Sequence, residues 1–216
     1  MSKSIFIHIP KCAGCSLWES LCKSEYCQHS EPRGPNSKLI LQSKFGPAIL
    51  EYFGHGAGRM LKPFPYHDIY QDLFSFTFVR NPFDRLVSSF FFLKSGGHNQ
   101  YNQESYNKYM RTSSGTFKDF IMHKFNQESI DNVIHLKPQH FWIYKETNLC
   151  VDFVGKTETI NSDISLLCEK LGVNLLDMNI ANTSEHKHYS EYYNDETRQI
   201  VAERYAKDIE YFGYEF

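Results

Sequence analysis

The sequence predicts an α/β protein built on a central, mainly parallel sheet flanked by helices. Three observations carry this. Ser4–Ile9, Phe74–Val79 and Val151–Gly155 are short apolar runs rich in β-branched and aromatic residues, the pattern of buried strands. Each is followed by a turn and then by a stretch with helical potential. Strands separated by helical stretches pair in parallel, because the crossover between parallel neighbours needs a helix's length of chain.

In chain order, Ser4–Ile9 ends at Pro10, which cannot donate to a sheet ladder. Lys11–Ser16 is a run of small residues behind one lysine, and a helix begins near Leu17. Glu25–Ser37, punctuated by Pro32, Gly34 and Pro35, reads as a loop. Lys38–Leu41 is a short strand, and Pro47–Phe53 a short helix with proline in its first turn. Gly54–Gly58 must turn, and Pro63 and Pro65 keep the next segment irregular. Phe74–Val79 is the clearest strand; Arg80-Asn81-Pro82 stops it and opens a helix to Leu93. Ser95–Gly115 is polar and reads as a mobile loop or surface insertion. Thr116–Lys124 is a helix, and Lys137–Ile143 a loop entering an aromatic segment. After Val151–Gly155 a helix runs to Leu171, stopped by Gly172. Asn179–Ser190 is polar and histidine-rich. A last helix starts at Asp195, with Ile200, Val201, Tyr205, Ile209 and Phe212 on its apolar side. With no repeat and no linker, residues 1–216 read as a single domain.

Composition narrows the function. A net charge of −2 argues against a nucleic-acid binder held by a basic surface. No run of apolar residues is long enough to span a membrane, and Pro10-Lys11 interrupts the first one too early for a signal peptide. The expectation is a cytoplasmic protein. Cys12-x-x-Cys15 has no second CxxC partner among the six cysteines, so it reads as small residues in a tight loop rather than a zinc or redox pair. No metal is expected.

The stretch from Ser4 to Ser20 has the form of an anion site. A strand leads into a tight loop whose N–H groups can approach a phosphate, a helix N-terminus adds partial positive charge, and Lys11 adds a full one. It is not a Walker A loop, in which the lysine follows the second glycine. Arg80 falls at the carboxyl end of a strand, where open α/β sheets bind ligands.

Three segments taken in order, Ile7-His8-Ile9-Pro10-Lys11-Cys12-Ala13-Gly14-Cys15-Ser16, Phe76-Thr77-Phe78-Val79-Arg80-Asn81-Pro82-Phe83-Asp84-Arg85-Leu86-Val87-Ser88 and Phe153-Val154-Gly155-Lys156-Thr157-Glu158, resemble one family. It is the sulfotransferases that use 3′-phosphoadenosine-5′-phosphosulfate (PAPS), in particular the carbohydrate branch of the Golgi and its bacterial relatives. The C-terminal Tyr205–Tyr214 segment extends the resemblance over nearly the whole chain. It implies the P-loop-like three-layer sulfotransferase fold and direct in-line transfer of a sulfuryl group from PAPS to a hydroxyl of a carbohydrate acceptor. The product would be adenosine 3′,5′-bisphosphate.

By the same resemblance Lys11 meets the bridging oxygen of the phosphosulfate, and the loop Cys12, Ala13, Gly14, Cys15 and Ser16 holds the 5′-phosphate. Arg80 and Ser88 take the 3′-phosphate, although Arg80 also suits an ion pair with Asp84 or Glu158. Ser184 and Tyr189, in a late polar segment, contact the nucleotide. His55, between glycines, is the base that deprotonates the acceptor; His67 is second, and His8 reads as a core residue. The family pattern has Thr, Gly and Thr where this chain has Cys12, Ala13 and Cys15, which restricts the loop backbone and replaces a hydroxyl with a thiol. Two alternatives stand beside this reading: a catalytically impaired nucleotide-binding protein on the same fold, and an ATP-dependent P-loop kinase, for which the magnesium-holding residues are not found.

Overall fold

A computed structural model describes residues 2–23, 27–30, 38–43, 46–53, 73–172 and 187–216. The chain divides into two compact units, Met1–Val79 with Phe141–Asn182, and Arg80–His140 with Thr183–Phe216.

The first unit is organised by a sheet. Its strands are β1 (Ser2–Ile7), β2 (Cys27–Ser30), β3 (Lys38–Ser43), β4 (Gly46–Phe53), β5 (Phe74–Val79) and, after the small hairpin of β6 (Tyr144–Lys145) and β7 (Asn148–Leu149), β8 (Phe153–Lys156). The spatial order is β2-β3-β4-β1-β5-β8. β4, β1, β5 and β8 are mutually parallel, and β2 and β3 extend the β4 side in antiparallel pairing. Winding starts at β1, moves out to β4, then crosses back to β5 and on to β8. Its direction therefore reverses between β1 and β5, the kind of point where α/β sheets open a ligand crevice at their carboxyl ends.

Burial explains the composition of these strands. Ile5, Phe6, Ile7, Phe76, Phe78 and Val79 are all buried, as expected of parallel strands covered on both faces. Phe6 and Phe76 pair across β1 and β5 and stack with centroids 5.1 Å apart. The hydroxyl of buried Thr77 donates to Ile7 O at 2.7 Å, so its polar atom is satisfied inside the sheet. Gly155 pairs with Phe78; a Cβ there would lie 2.4 Å from that ring, so the aromatic on β5 requires the glycine on β8. The helices assigned to this unit's chain segments include α1 (Gly14–Lys23), whose Leu17, Trp18 and Leu21 are buried, and Ile160–Leu171. The second of these ends on Gly172 at φ 68°, the stop expected of that glycine. Asp163 accepts from Lys156 N–H at 2.7 Å, tying that helix to the end of β8.

The second unit is built on α2 (Pro82–Lys94). Its start is set by sequence: Pro82 occupies the first turn and Asn81 Oδ1 caps it by accepting from Phe83 N–H at 3.0 Å. Phe83, Leu86, Val87, Phe90 and Leu93 form the apolar side and join a cluster with Phe117, Phe120, Phe125, Val201 and Tyr205. Phe90 stacks on Phe120 at 5.4 Å. The C-terminal part is two helices, Asp195–Arg204 and Ala206–Phe212, rather than one. Asn194 and Thr197 form a capping box at the first, and Tyr205 separates the two. Tyr205 donates its hydroxyl to Leu136 O at 2.7 Å; burial pushes its phenol well above the ordinary range, so it stays a donor.

Three further expectations are corrected. Pro47–Phe53 is not a helix but most of β4, lying between β3 and β1. Pro47 is tolerated next to the strand's first residue, and the Ala48-Ile49-Leu50-Glu51-Tyr52-Phe53 run is held by ladders on both sides. Within the expected loop Glu25–Ser37, Cys27–Ser30 pairs with β3. The polar stretch Ser95–Gly115 contains a helix, Gln100–Ser105, and a π turn, Tyr106–Met110, closed by Arg111 N–H donating to Tyr106 O at 2.9 Å. Tyr106 and Met110 are buried, so both belong to the core. The Gly54–Gly58 turn and the Pro63–Pro65 segment lie outside the described residues. Among the described residues no helix is long and apolar enough to cross a membrane.

Candidate functional site

The loop after β1 is the most distinctive backbone in the first unit. Lys11 sits at φ 66° and Ala13 at φ 56°, left-handed conformations that residues with a Cβ rarely adopt. Cys12 between them and Gly14 after them are not left-handed, so the backbone alternates in hand from residue to residue. Alternation of hands is the backbone pattern from which anion-binding nests are built. Cys12 N–H closes back onto Ile9 O at 3.3 Å, and Leu17 N–H makes the first helical bond to Ala13 O at 2.9 Å. Gly14, Cys15 and Ser16 thus form the first turn of a ten-residue helix, where N–H groups have no acceptor within the helix and the dipole is positive.

The loop is braced from behind by His8. This histidine is buried, and its ring lies so close to Gly14 that a Cβ on that residue would stand 2.1 Å from His8 Cδ2. The glycine is therefore required by contact, not by its own φ. His8 follows β1 and stacks loosely on Phe6 at 6.0 Å, the core role expected of it. Gly14→Ala is expected to lower stability by about 1–3 kcal/mol through overpacking and to displace the loop, weakening nucleotide binding; thermal denaturation and calorimetry would show both. Cys12 is buried with its thiol toward Pro10 O at 3.7 Å, and Cys15 and Ser16 are half-buried in the helix start. Neither Cys12 nor Cys15 is joined in a disulfide.

In the second unit, Arg80 follows the last residue of β5 directly. Its Nε donates to Asp84 Oδ2 at 2.8 Å, so the expected ion pair with Asp84 exists. A bond through Nε fixes the guanidinium plane, while the end-on fork toward a phosphate is made by the two terminal nitrogens. Its backbone is held as firmly: Arg80 N–H donates to Gln139 Oε1 at 2.8 Å, and Gln139 Nε2 donates to Arg80 O at 2.8 Å. Ser88 lies in the second turn of α2, only 8% exposed. Its neighbour Ser89 spends its hydroxyl on His135 O at 3.1 Å. Arg85 is buried and donates to Lys137 O and His135 O, so its role is structural.

Tyr189 begins a short 3-10 turn, half-buried, with its ring 4.5 Å from that of His188 and 5.6 Å from that of Phe216. His55, His67 and Ser184 lie outside the described residues. The structure thus places Lys11 to Ser16 together on one loop of the first unit, and Arg80, Ser88 and Tyr189 in the second. Sequence reasoning missed Gln139 and Asp208, which are 69 residues apart and meet only on folding; Asp208 accepts from the backbone N–H groups of Gln139 and His140 and from His140 Nδ1. Among the described residues no group of three or more His, Cys, Asp or Glu side chains could hold a metal ion.

A search of curated proteins finds no match to this chain. The family comparison is positive: the model of the sulfotransferase family matches residues 2–215, taking in the nest after β1, the Arg80 turn after β5 and the end of β8. With a parallel sheet that reverses its winding between β1 and β5, an alternating-hand loop behind a lysine, and a family match over almost its full length, the chain belongs to the sulfotransferase family, whose chemistry is sulfuryl transfer.

Proposed function

We propose that the protein moves a sulfuryl group from PAPS to a hydroxyl of a carbohydrate. The observation that carries this reading is the Lys11–Ser16 nest, a backbone shaped for an oxyanion and headed by a full positive charge. PAPS supplies a sulfuryl group on a phosphate leaving group and a separate 3′-phosphate, so its enzyme needs two anion sites. The nest and the first turn of α1 suit the 5′-phosphate. Lys11 stabilises the negative charge that develops there as the bond to sulfur breaks. Arg80 and Ser88 take the 3′-phosphate through a guanidinium fork and a hydroxyl. Tyr189 and Ser184 contact the nucleotide, and His55 removes the acceptor proton. The transfer is direct and in line, and none of these roles uses a metal. Residues 1–216 act as one sulfotransferase domain.

Calorimetry with adenosine 3′,5′-bisphosphate and with ATP tests the donor. The bisphosphate is expected to bind and Arg80→Ala to weaken it about 10- to 100-fold, the worth of charge-assisted hydrogen bonds. Binding of ATP without binding of the bisphosphate would overturn the reading. Transfer of labelled sulfate from PAPS to a glycan panel tests the acceptor, and His55→Ala tests the base.

A second reading is favoured by Ala13. Its left-handed φ costs about 1–2 kcal/mol where glycine would cost little, and Cys15 offers a thiol in place of a hydroxyl. On that reading the protein binds nucleotide without transfer. Donor binding with no transfer to any acceptor would select it.

A further inference from the structure

Arg80 stands where the sheet ladder ends. Val79 makes the last pair of β5 with Lys156 of β8, and Arg80 is the first residue beyond it. A residue in that position normally loses its backbone partners and becomes free to wander. Arg80 does not, because the carboxamide of Gln139 supplies both an acceptor for its N–H and a donor for its C=O, each at 2.8 Å. One side chain thereby replaces a missing strand neighbour.

That carboxamide is itself anchored. Gln139 is fully buried, and its backbone N–H donates to Asp208 Oδ2 at 2.6 Å. Asp208 is also fully buried and takes His140 N–H on its other oxygen at 2.8 Å and His140 Nδ1 at 2.7 Å. The turn leading into Gln139 is nailed down from α2 and from Tyr205, between the last two helices. Arg85 and Ser89 of α2 donate to the carbonyls of His135 and Lys137, and Tyr205 donates to Leu136 O. On the far side of Arg80, Asn81 caps α2 with one end of its amide and donates to Glu215 O with the other at 2.7 Å. All these groups lie in the second unit, so the frame is internal to it.

We propose that Gln139, held by Asp208, is a positioning residue for Arg80. It sets the backbone from which the guanidinium reaches the phosphate, so that the affinity for a nucleotide's 3′-phosphate depends on an amide that never touches it. This rests on the reading of Arg80 as the 3′-phosphate ligand. A purely structural glutamine would weaken all ligands alike. A positioning glutamine weakens only the part of the ligand that Arg80 holds.

The test compares two probes, adenosine 3′,5′-bisphosphate and adenosine 5′-monophosphate, by calorimetry on the full chain. The ratio of their affinities reads the 3′-phosphate alone. Arg80→Ala should collapse the ratio. If it does not, the reading of Arg80 fails, and the proposal with it. Gln139→Met keeps the length and adds no charge but removes both the acceptor for Arg80 N–H and the donor to Arg80 O. It should reduce the ratio by about tenfold, the scale of a lost hydrogen bond, with the monophosphate affinity unchanged and circular dichroism and melting confirming a native fold. Gln139→Asn, which shortens the reach while keeping both functions, should fall between Gln139→Met and wild type and provides the measurement if the methionine variant does not fold. With the ratio lost in Arg80→Ala, a wild-type ratio in a folded Gln139 variant would overturn the proposal. Equal weakening of both probes would overturn it too.

Discussion

Lys11→Ala should lower the turnover number for sulfate transfer by about 10²–10³-fold, the cost of removing one oxyanion-stabilising group. The substitution is unusually clean here. Lys11 already holds a left-handed φ of 66°, and alanine carries the same Cβ, so the backbone meets the same strain in both chains. What changes is the charged arm beyond that carbon. Because that charge is needed most as the leaving phosphate forms, kcat should fall much further than affinity for the bisphosphate. Rapid-mixing single-turnover transfer from PAPS, together with calorimetry, separates the two. Unchanged turnover would show that Lys11 carries no transition-state load.

The second large effect is on stability. Asp208→Ala should cost about 3–5 kcal/mol, because it strands two buried backbone N–H groups as well as an imidazole. Asp208 is fully buried, and its bonds to Gln139 N–H and His140 N–H hold the segment that clamps Arg80. At about 2–4 °C per kcal/mol for a chain of this size, the melting temperature should drop by roughly 6–20 °C. His140→Ala removes only the third bond from a ring that is partly exposed, so it should cost about 1 kcal/mol. Similar losses in the two variants would show that the imidazole, not the backbone, is what Asp208 holds.

Much of this fold was legible from the chain, and the exceptions have physical causes. β5 and α2 announce themselves: an alternating aromatic run, then Asn-Pro and an apolar side that repeats with helical period. Gly172 marks its helix end because a left-handed stop needs glycine. β4 was hidden by Pro47, which suits a helix's first turn as well as a strand's start; the choice between them is made by β3 and β1 on either side, and those partners are not written locally. The π turn was hidden by polar surroundings, although Tyr106 and Met110 stand four residues apart, as a buried helical pair does. For the site, Lys11, the nest and Arg80 are local features and could be read. The Gln139–Asp208 frame could not: Asp208 falls within the Tyr205–Tyr214 segment of the resemblance, but what it holds is visible only once folding brings Gln139 to it.

The two compact units have an interleaved connectivity that bears on how the protein is made. Each takes its chain in two pieces: the first unit needs Phe141–Asn182 to complete what Met1–Val79 begins, and the second needs Thr183–Phe216 to complete Arg80–His140. As the chain leaves the ribosome, β5 must wait for β8, whose Phe153 pairs with Phe76, before that side of the sheet acquires its neighbour. The apolar side of α2 waits longer still, for Val201 and Tyr205. Such long-range closure slows folding and leaves apolar strands uncovered meanwhile. Neither unit can be cut out as a contiguous fragment, so truncation at His140 or at Asn182 should yield aggregation-prone products rather than half an enzyme.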